Sequence, residues 1–222
     1  MIRLDIYSDP VCPWCLIGKA NLDRAMAARP DHPFDIAWHP FLLDPDMPAA
    51  GVDRPAYLET KFGSRMAAAS AYARVAEAAE AAGLALDLGA IARQPNTVDA
   101  HRLIHWAGIE GVQHAVVQAL FSAYFQQGRD IGRHDVLAEI AGACGMEKNT
   151  TQRLLASDAE RETITARAAE ARARAITGVP CFIVAETHVV TGAQPADLWL
   201  QVIDETAGHG GPATTGHGAG HA

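Results

Sequence analysis

The chain has 222 residues, 49 % of them hydrophobic and 20 % charged, with 26 acidic against 18 basic side chains and a net charge of -8. That length suits one large domain, or a domain carrying an insertion, with enough chain to bury a sizeable core. The acidic balance argues against a nucleic-acid surface, which needs clustered Lys and Arg. No stretch approaches the roughly 20 apolar residues of a membrane span.

The opening MIRLDIYSDP is broken by Asp5 and Asp9, whereas a secretory leader needs a basic segment and then about 7–15 unbroken apolar residues. For a chain starting here the expected setting is the cytoplasm. Thiols there stay reduced, so a Cys-x-x-Cys points to catalysis or metal binding rather than to a structural staple.

Residues 2–7 alternate Ile2, Leu4 and Ile6 with polar neighbours and predict a strand. Ser8, Asp9 and Pro10 form a turn cluster. A helix is expected from Cys12 to about Ala28, with Pro13 in its first turn and Leu22, Ala25 and Met26 on one face. Residues 34–42 predict a second strand, weakened at its far end by Pro40. The helix between them is long enough to cross over between parallel strands.

From about Arg54 to Ala175 alanine dominates and strand alternation disappears. Gly83, Pro95, Gly111, Gly128, Gly142 and Gly145 divide this stretch into an expected five or six helices. Asn96 is a plausible N-cap, with Asp99 three residues on and Ala100, Leu103, Ile104 and Ala107 as the apolar stripe.

After Gly178, residues 181–185 and 188–192 predict a hairpin around Glu186 and Thr187, and Pro195 to about Thr206 a closing helix. Residues 207–222 are low-complexity Gly, His and Ala, expected to be disordered. Their His209, His217 and His221 are too loosely spaced to preorganise a metal site. The two ends therefore fold around one sheet. Residues 1–53 and 176–206 form one discontinuous domain, and 54–175 is a helical insertion.

The chemistry concentrates in SDPVCPWC, residues 8–15. In a reactive Cys-x-x-Cys the thiolate is the nucleophile, and a helix N-terminus lowers its pKa. Cys12 stands at that terminus. Cys15 lies one turn along, placed to attack a mixed disulfide at Cys12. Pro13 fixes the turn, Trp14 adds an apolar rim, and Asp9 opposes thiolate formation. Structural zinc needs about four ligands, but Cys144 and Cys181 are isolated, so no metal is expected. Two passively buried thiols are the weaker alternative. The second relevant stretch is TGVPCFIV, residues 177–184. From these residues alone Pro180 is an ordinary trans proline. A cis bond would leave the Val179 backbone N–H and C=O free to pair with an extended substrate.

A strand, CPWC at a helix start, a helical insertion and Gly-Val-Pro before a hairpin resemble the thioredoxin-fold DsbA family over about residues 2–206. Asn96-Thr97, Ala100-His101-Arg102 and FLLDPDMP at 41–48 resemble its FrnE-like branch of polyketide-biosynthesis dithiol–disulfide isomerases, which is close to the 2-hydroxychromene-2-carboxylate isomerases. The resemblance implies an α/β, thioredoxin-like fold with a large all-helical insertion and a cis Val179–Pro180 bond. It also implies thiol–disulfide exchange with protein or small-thiol substrates. Cys12 attacks, Cys15 resolves, and Pro13, Trp14, Val179 and Pro180 contact the substrate. The cofactor is the redox-active disulfide itself, with glutathione a candidate co-substrate and no nucleic-acid or membrane partner. Oligomeric state is left open.

The competing reading is a glutathione-dependent isomerase or transferase acting on a small aromatic. In it Asn96 and His101 contact glutathione or substrate, although a helix cap and a packed histidine are the preferred roles for these two. Such isomerases carry serine in place of the first cysteine, so the Cys12 and Cys15 pair favours redox chemistry. A non-catalytic holdase is a third reading with little support. Cys181 departs from the family, where that position is apolar or Thr, and is expected to be a packed, non-catalytic thiol.

Overall fold

The structure is a computed structural model that describes residues 1–208. The first strand, β1 (Ile2–Ser8), turns Leu4 and Ile6 into the core at 0 % exposure. The chain bends through Asp9, Pro10 and Val11 into α1 (Pro13–Ala28), where proline's missing N–H falls among donors that lack helical partners anyway. α1 crosses to β2 (Phe34–Pro40), which runs parallel to β1 from Ile2↔Phe34 to Ser8↔Pro40. Pro40 closes the strand short of residue 42, having no proton to donate to a ladder.

The next segment opens on a ribbon for which the sequence offers no local sign. β3 (Val52–Asp53) precedes α2 (Arg54–Phe62) and α3 (Arg65–Ala81), and then pairs antiparallel with β4 (Arg93–Gln94). Gly51 makes this possible at φ +64, since a Cβ there would lie 2.5 Å from the Gln94 carbonyl oxygen. Gly63 in a left-handed conformation separates α2 from α3, and the side chains of Asp53 and Ser64 cap the two helices. Further on come α4 (Val98–Ile109), α5 (Gln113–Phe125), α6 (His134–Ala143), α7 (Lys148–Leu155) and α8 (Arg161–Ala173).

Among the described residues, α2 to α8 make seven helices rather than five or six. The N-cap of α4 is Thr97, not Asn96. Asn96 instead accepts from the Val98 amide (3.0 Å) and donates to the Met47 carbonyl (2.7 Å). The turn between α7 and α8 contains neither Gly nor Pro. Arg102, fully buried, holds it from α4 by donating to the carbonyls of Leu154 (2.7 Å), Ser157 (2.8 Å) and Ala159 (2.6 Å).

β5 (Cys181–Val184) joins β1 antiparallel, β6 (His188–Thr191) pairs with β5, and the sheet order is β2-β1-β5-β6. α9 (Ala196–Gly208) continues two residues beyond Thr206. Trp199 of α9 meets Phe182 edge-on, with ring centroids 4.7 Å apart. Both are fully buried, and truncating either to Ala costs about 3–5 kcal/mol. Leu4 and Ile6 of β1, Leu16 and Leu22 of α1, Phe182 and Val184 of β5 and Trp199 and Ile203 of α9 share one continuous apolar core with Leu103, Leu120 and Leu137 of α4, α5 and α6. Tyr7, Cys181 and Ile183 face the other side of the sheet, against Phe41, Ala171 and Ile176. His209, His217, His221 and the expected tail beyond Gly208 lie outside the described residues.

Candidate functional site

Cys12 is the N-cap of α1, in extended conformation (φ -89, ψ 114). Its carbonyl accepts from the amides of Cys15 (3.1 Å) and Leu16 (3.4 Å), and its own amide donates to the Asp9 carbonyl (2.9 Å). The side chain thus sits at the helix end where anionic groups are stabilised. Opposite it, Val179 precedes a cis-bonded Pro180, the isomer that the family resemblance implied. The Cys12 thiol donates to the Val179 carbonyl across 3.7 Å. Gly18 permits this close approach, because a Cβ there would lie 3.1 Å from the Pro180 ring and 3.3 Å from that of Phe182.

Cys15 is buried beneath Cys12. Burial, and then the neighbouring Cys12, push its pKa well above that of an ordinary thiol, so Cys15 keeps its proton. All four cysteines are free. Asp9 does not turn its carboxylate on the thiols. Its two oxygens accept from the amides of Leu43 (2.8 Å) and Val11 (3.4 Å), and burial pushes its pKa up to about 6. His101 lies 3.9 Å from it. Burial lowers the imidazole pKa to about 4, leaving it neutral at pH 7 and donating to the Phe41 carbonyl (3.2 Å).

A cleft of about 500 Å³ opens over Cys12. One wall is Pro13, Trp14 and Val179; α2 and α3 supply the other with Tyr57, Lys61, Phe62, Tyr72 and Arg74. No carboxylate lines it among the described residues. Trp14 is 39 % exposed at the rim, whereas Cys12 is 4 % exposed. Of the residues singled out from the sequence, Cys12, Pro13, Trp14 and Val179 meet here, with Cys15 and Pro180 packed directly behind. Asn96 and His101 do not line the cleft; one organises the start of α4 and the other is packed under β2.

The α2–α3 wall was not recognised in the sequence. Its one sequence sign is that Tyr57, Phe62 and Tyr72 are the only aromatics in residues 54–81, which are otherwise rich in alanine. Cys181 is 3 % exposed and lines a different groove of about 590 Å³, with Tyr7, Arg174 and Thr191.

Residues 3–204 match the family model of the DSBA-like thioredoxin domain. The uncharacterized protein YwbO of Bacillus subtilis (strain 168) is 28 % identical over 208 residues, covering 92 % of this chain and 96 % of that protein. Among solved structures, the probable DsbA oxidoreductase SCO1869 of Streptomyces coelicolor is 30 % identical with a TM-score of 0.83, covering 96 % of this chain and 93 % of that one. The cytosolic disulfide reductase DsbM of Pseudomonas aeruginosa, solved with GSH, shares the fold at 17 % identity and a TM-score of 0.65, with coverage of 92 % and 98 %. The thioredoxin-like sheet, the helical insertion and the match over residues 3–204 agree: the chain belongs to the DSBA-like thioredoxin domain family.

Proposed function

We propose that the protein is a thiol–disulfide oxidoreductase of the FrnE-like branch, working in the cytoplasm on small-thiol or protein disulfides. The observation that carries this reading is the asymmetric pair at the start of α1. Cys12 faces the cleft and the Val179 carbonyl, while Cys15 waits behind it, buried and protonated. The Cys12 thiolate attacks one sulfur of a substrate disulfide, and the departing half leaves as a thiolate. Cys15 then gives up its proton and attacks the Cys12 sulfur, releasing the second half. Two substrate thiols and a Cys12–Cys15 disulfide result, and two external thiols, released joined as their own disulfide, supply the two electrons that return the enzyme to its dithiol form. Pro13, Trp14, Val179 and Pro180 form the substrate contacts.

Glutathione suits the role of that external thiol. No carboxylate lines the cleft, and while Lys61 is paired with Asp44 behind it (3.6 Å), Arg74 adds a positive charge that favours an anionic small molecule over a basic one. The Tyr57, Phe62 and Tyr72 wall also supports the second reading, glutathione-dependent isomerisation of a small aromatic. That chemistry has no need of a resolving thiol, so Cys15 weighs against it.

The test is the turnover of glutathione disulfide and of insulin, with dithiothreitol as the external reductant, by wild type and Cys12→Ser. Loss of both activities in Cys12→Ser is expected. A variant that retains them would remove the redox reading, and isomerase activity surviving in Cys15→Ala would favour the second.

A further inference from the structure

The exchange chemistry leaves one buried charge without a role. Arg54, at the start of α2, is 2 % exposed and has no carboxylate partner among the described residues. Its guanidinium donates to Gln94 Oε1 (2.9 Å) and to the hydroxyls of Tyr124 (2.5 Å) and Tyr72 (2.8 Å). It also lies over both rings, 5.3 Å from the centroid of Tyr72 and 5.4 Å from that of Tyr124. A cation buried among neutral partners is costly to keep, and each partner has to present an oxygen to it.

A hydroxyl that accepts from a guanidinium must aim its own proton elsewhere. For Tyr124 the acceptors are the Arg93 carbonyl and Gln94 Oε1, both at 3.1 Å. The Tyr72 hydroxyl makes no donated hydrogen bond among the described residues, and Tyr72 shares the lining of the cleft with Cys12. Arg54 therefore holds a phenol with a free proton in the chamber where sulfur anions form.

We infer that Tyr72 is a further catalytic residue of the exchange reaction: its hydroxyl, oriented by Arg54, donates a hydrogen bond to the substrate sulfur that departs as a thiolate. This rests on the redox reading above. As the Cys12 thiolate forms its bond to the near sulfur, the electron pair of the broken S–S bond moves to the far sulfur. Tyr72 stabilises that developing charge and keeps its own proton, and the released thiolate is later protonated by water. Burial pushes the Tyr72 pKa up; the neighbouring Arg54 pulls against this and the negative charge of Cys12 adds to it. The phenol is thus a hydrogen-bond donor at neutral pH and not an acid. Arg54 is a positioning residue, acting through Tyr72.

The test is the rate of the first exchange step for wild type and Tyr72→Phe with a series of small disulfides whose thiols differ in acidity. Weakly acidic thiols leave slowly and depend most on help at the departing sulfur. A hydrogen bond to a charged group corresponds to at least about a tenfold change in rate. Tyr72→Phe is expected to slow disulfides of weakly acidic thiols about tenfold and those of strongly acidic aromatic thiols little, so the dependence on leaving-thiol acidity steepens. That comparison is made within one protein, so a smaller folded fraction cancels from it. An unchanged profile, or a loss uniform across the series, would overturn the inference while leaving the redox reading intact. Wild type no faster than Cys12→Ser would instead overturn the redox reading, and this inference with it.

Discussion

Asp9→Asn isolates the energetic effect of burying a carboxyl group beneath the reactive helix. Asp9 is 1 % exposed, and burial lifts its pKa from the ordinary 3.8 to about 6. The folded chain therefore holds the proton more tightly than the unfolded chain. The resulting stability is fully present below pH 3.8 and is lost as pH rises through about 6. At 1.36 kcal/mol for each tenfold change in proton affinity, the loss amounts to about 3 kcal/mol. His101 slopes the other way. Its pKa falls from 6.5 to about 4 through burial, so its contribution is present above pH 6.5 and lost as pH falls through about 4.

These two slopes nearly cancel in wild type, and the substitution uncovers the histidine alone. An asparagine has one oxygen for the two amides of Leu43 and Val11, which adds an offset of about 1–3 kcal/mol that does not vary with pH. Urea unfolding of both proteins at several pH values, followed by tryptophan fluorescence, measures the gap between them. Relative to wild type, Asp9→Asn should gain about 3 kcal/mol between pH 4 and pH 7. A gap that stays constant over this range would refute an Asp9 titration in the fold.

The other expectations concern single residues. Cys15→Ala should accumulate a mixed disulfide between Cys12 and glutathione, visible by mass spectrometry, because no resolving thiol remains; an unmodified Cys12 would count against its role as nucleophile. Arg102→Lys should cost about 3 kcal/mol in chemical denaturation, since an ammonium cannot serve the spread of carbonyls that a planar guanidinium does; a cost below about 1 kcal/mol would mean that the α7–α8 turn holds itself. Cys181→Ala should leave turnover unchanged and lower stability by about 1 kcal/mol, as for a small packed side chain. A Cys12–Cys181 bridge in the oxidised protein would contradict this.

The β1–α1–β2 unit was readable from the sequence because its signals are local: period-two apolar residues, a turn cluster, and proline at a helix start. The placement of Cys12 and Cys15 at the start of α1 was readable in the same way. The divisions of the helical segment were only partly readable. The break between α2 and α3 does carry a local sign, Gly63 before the N-cap Ser64, but the alanine-rich α3 behind it has little contrast between its faces. The α7–α8 turn is imposed from α4 through Arg102, a contact between residues more than fifty positions apart. The β3–β4 ribbon pairs two residues with two across a pair of helices, too few for any pattern to register. Arg54 and Tyr72 were missed for a similar reason: their significance lies in a shared oxygen and a shared cleft, which only the packing of α2 against α3 brings about.

The carboxylate-free cleft belongs to a chain of net charge -8. An anionic disulfide approaching from solution meets repulsion from the whole molecule and attraction only in the last few ångströms. Screening acts over about 10 Å at 0.1 M salt and weakens the distant repulsion more than the close attraction. Raising ionic strength should therefore speed capture of anionic disulfides, slow that of cationic ones, and leave neutral ones alone. The acidic exterior then governs how fast a substrate arrives, while Arg74 at the cleft governs how long it stays.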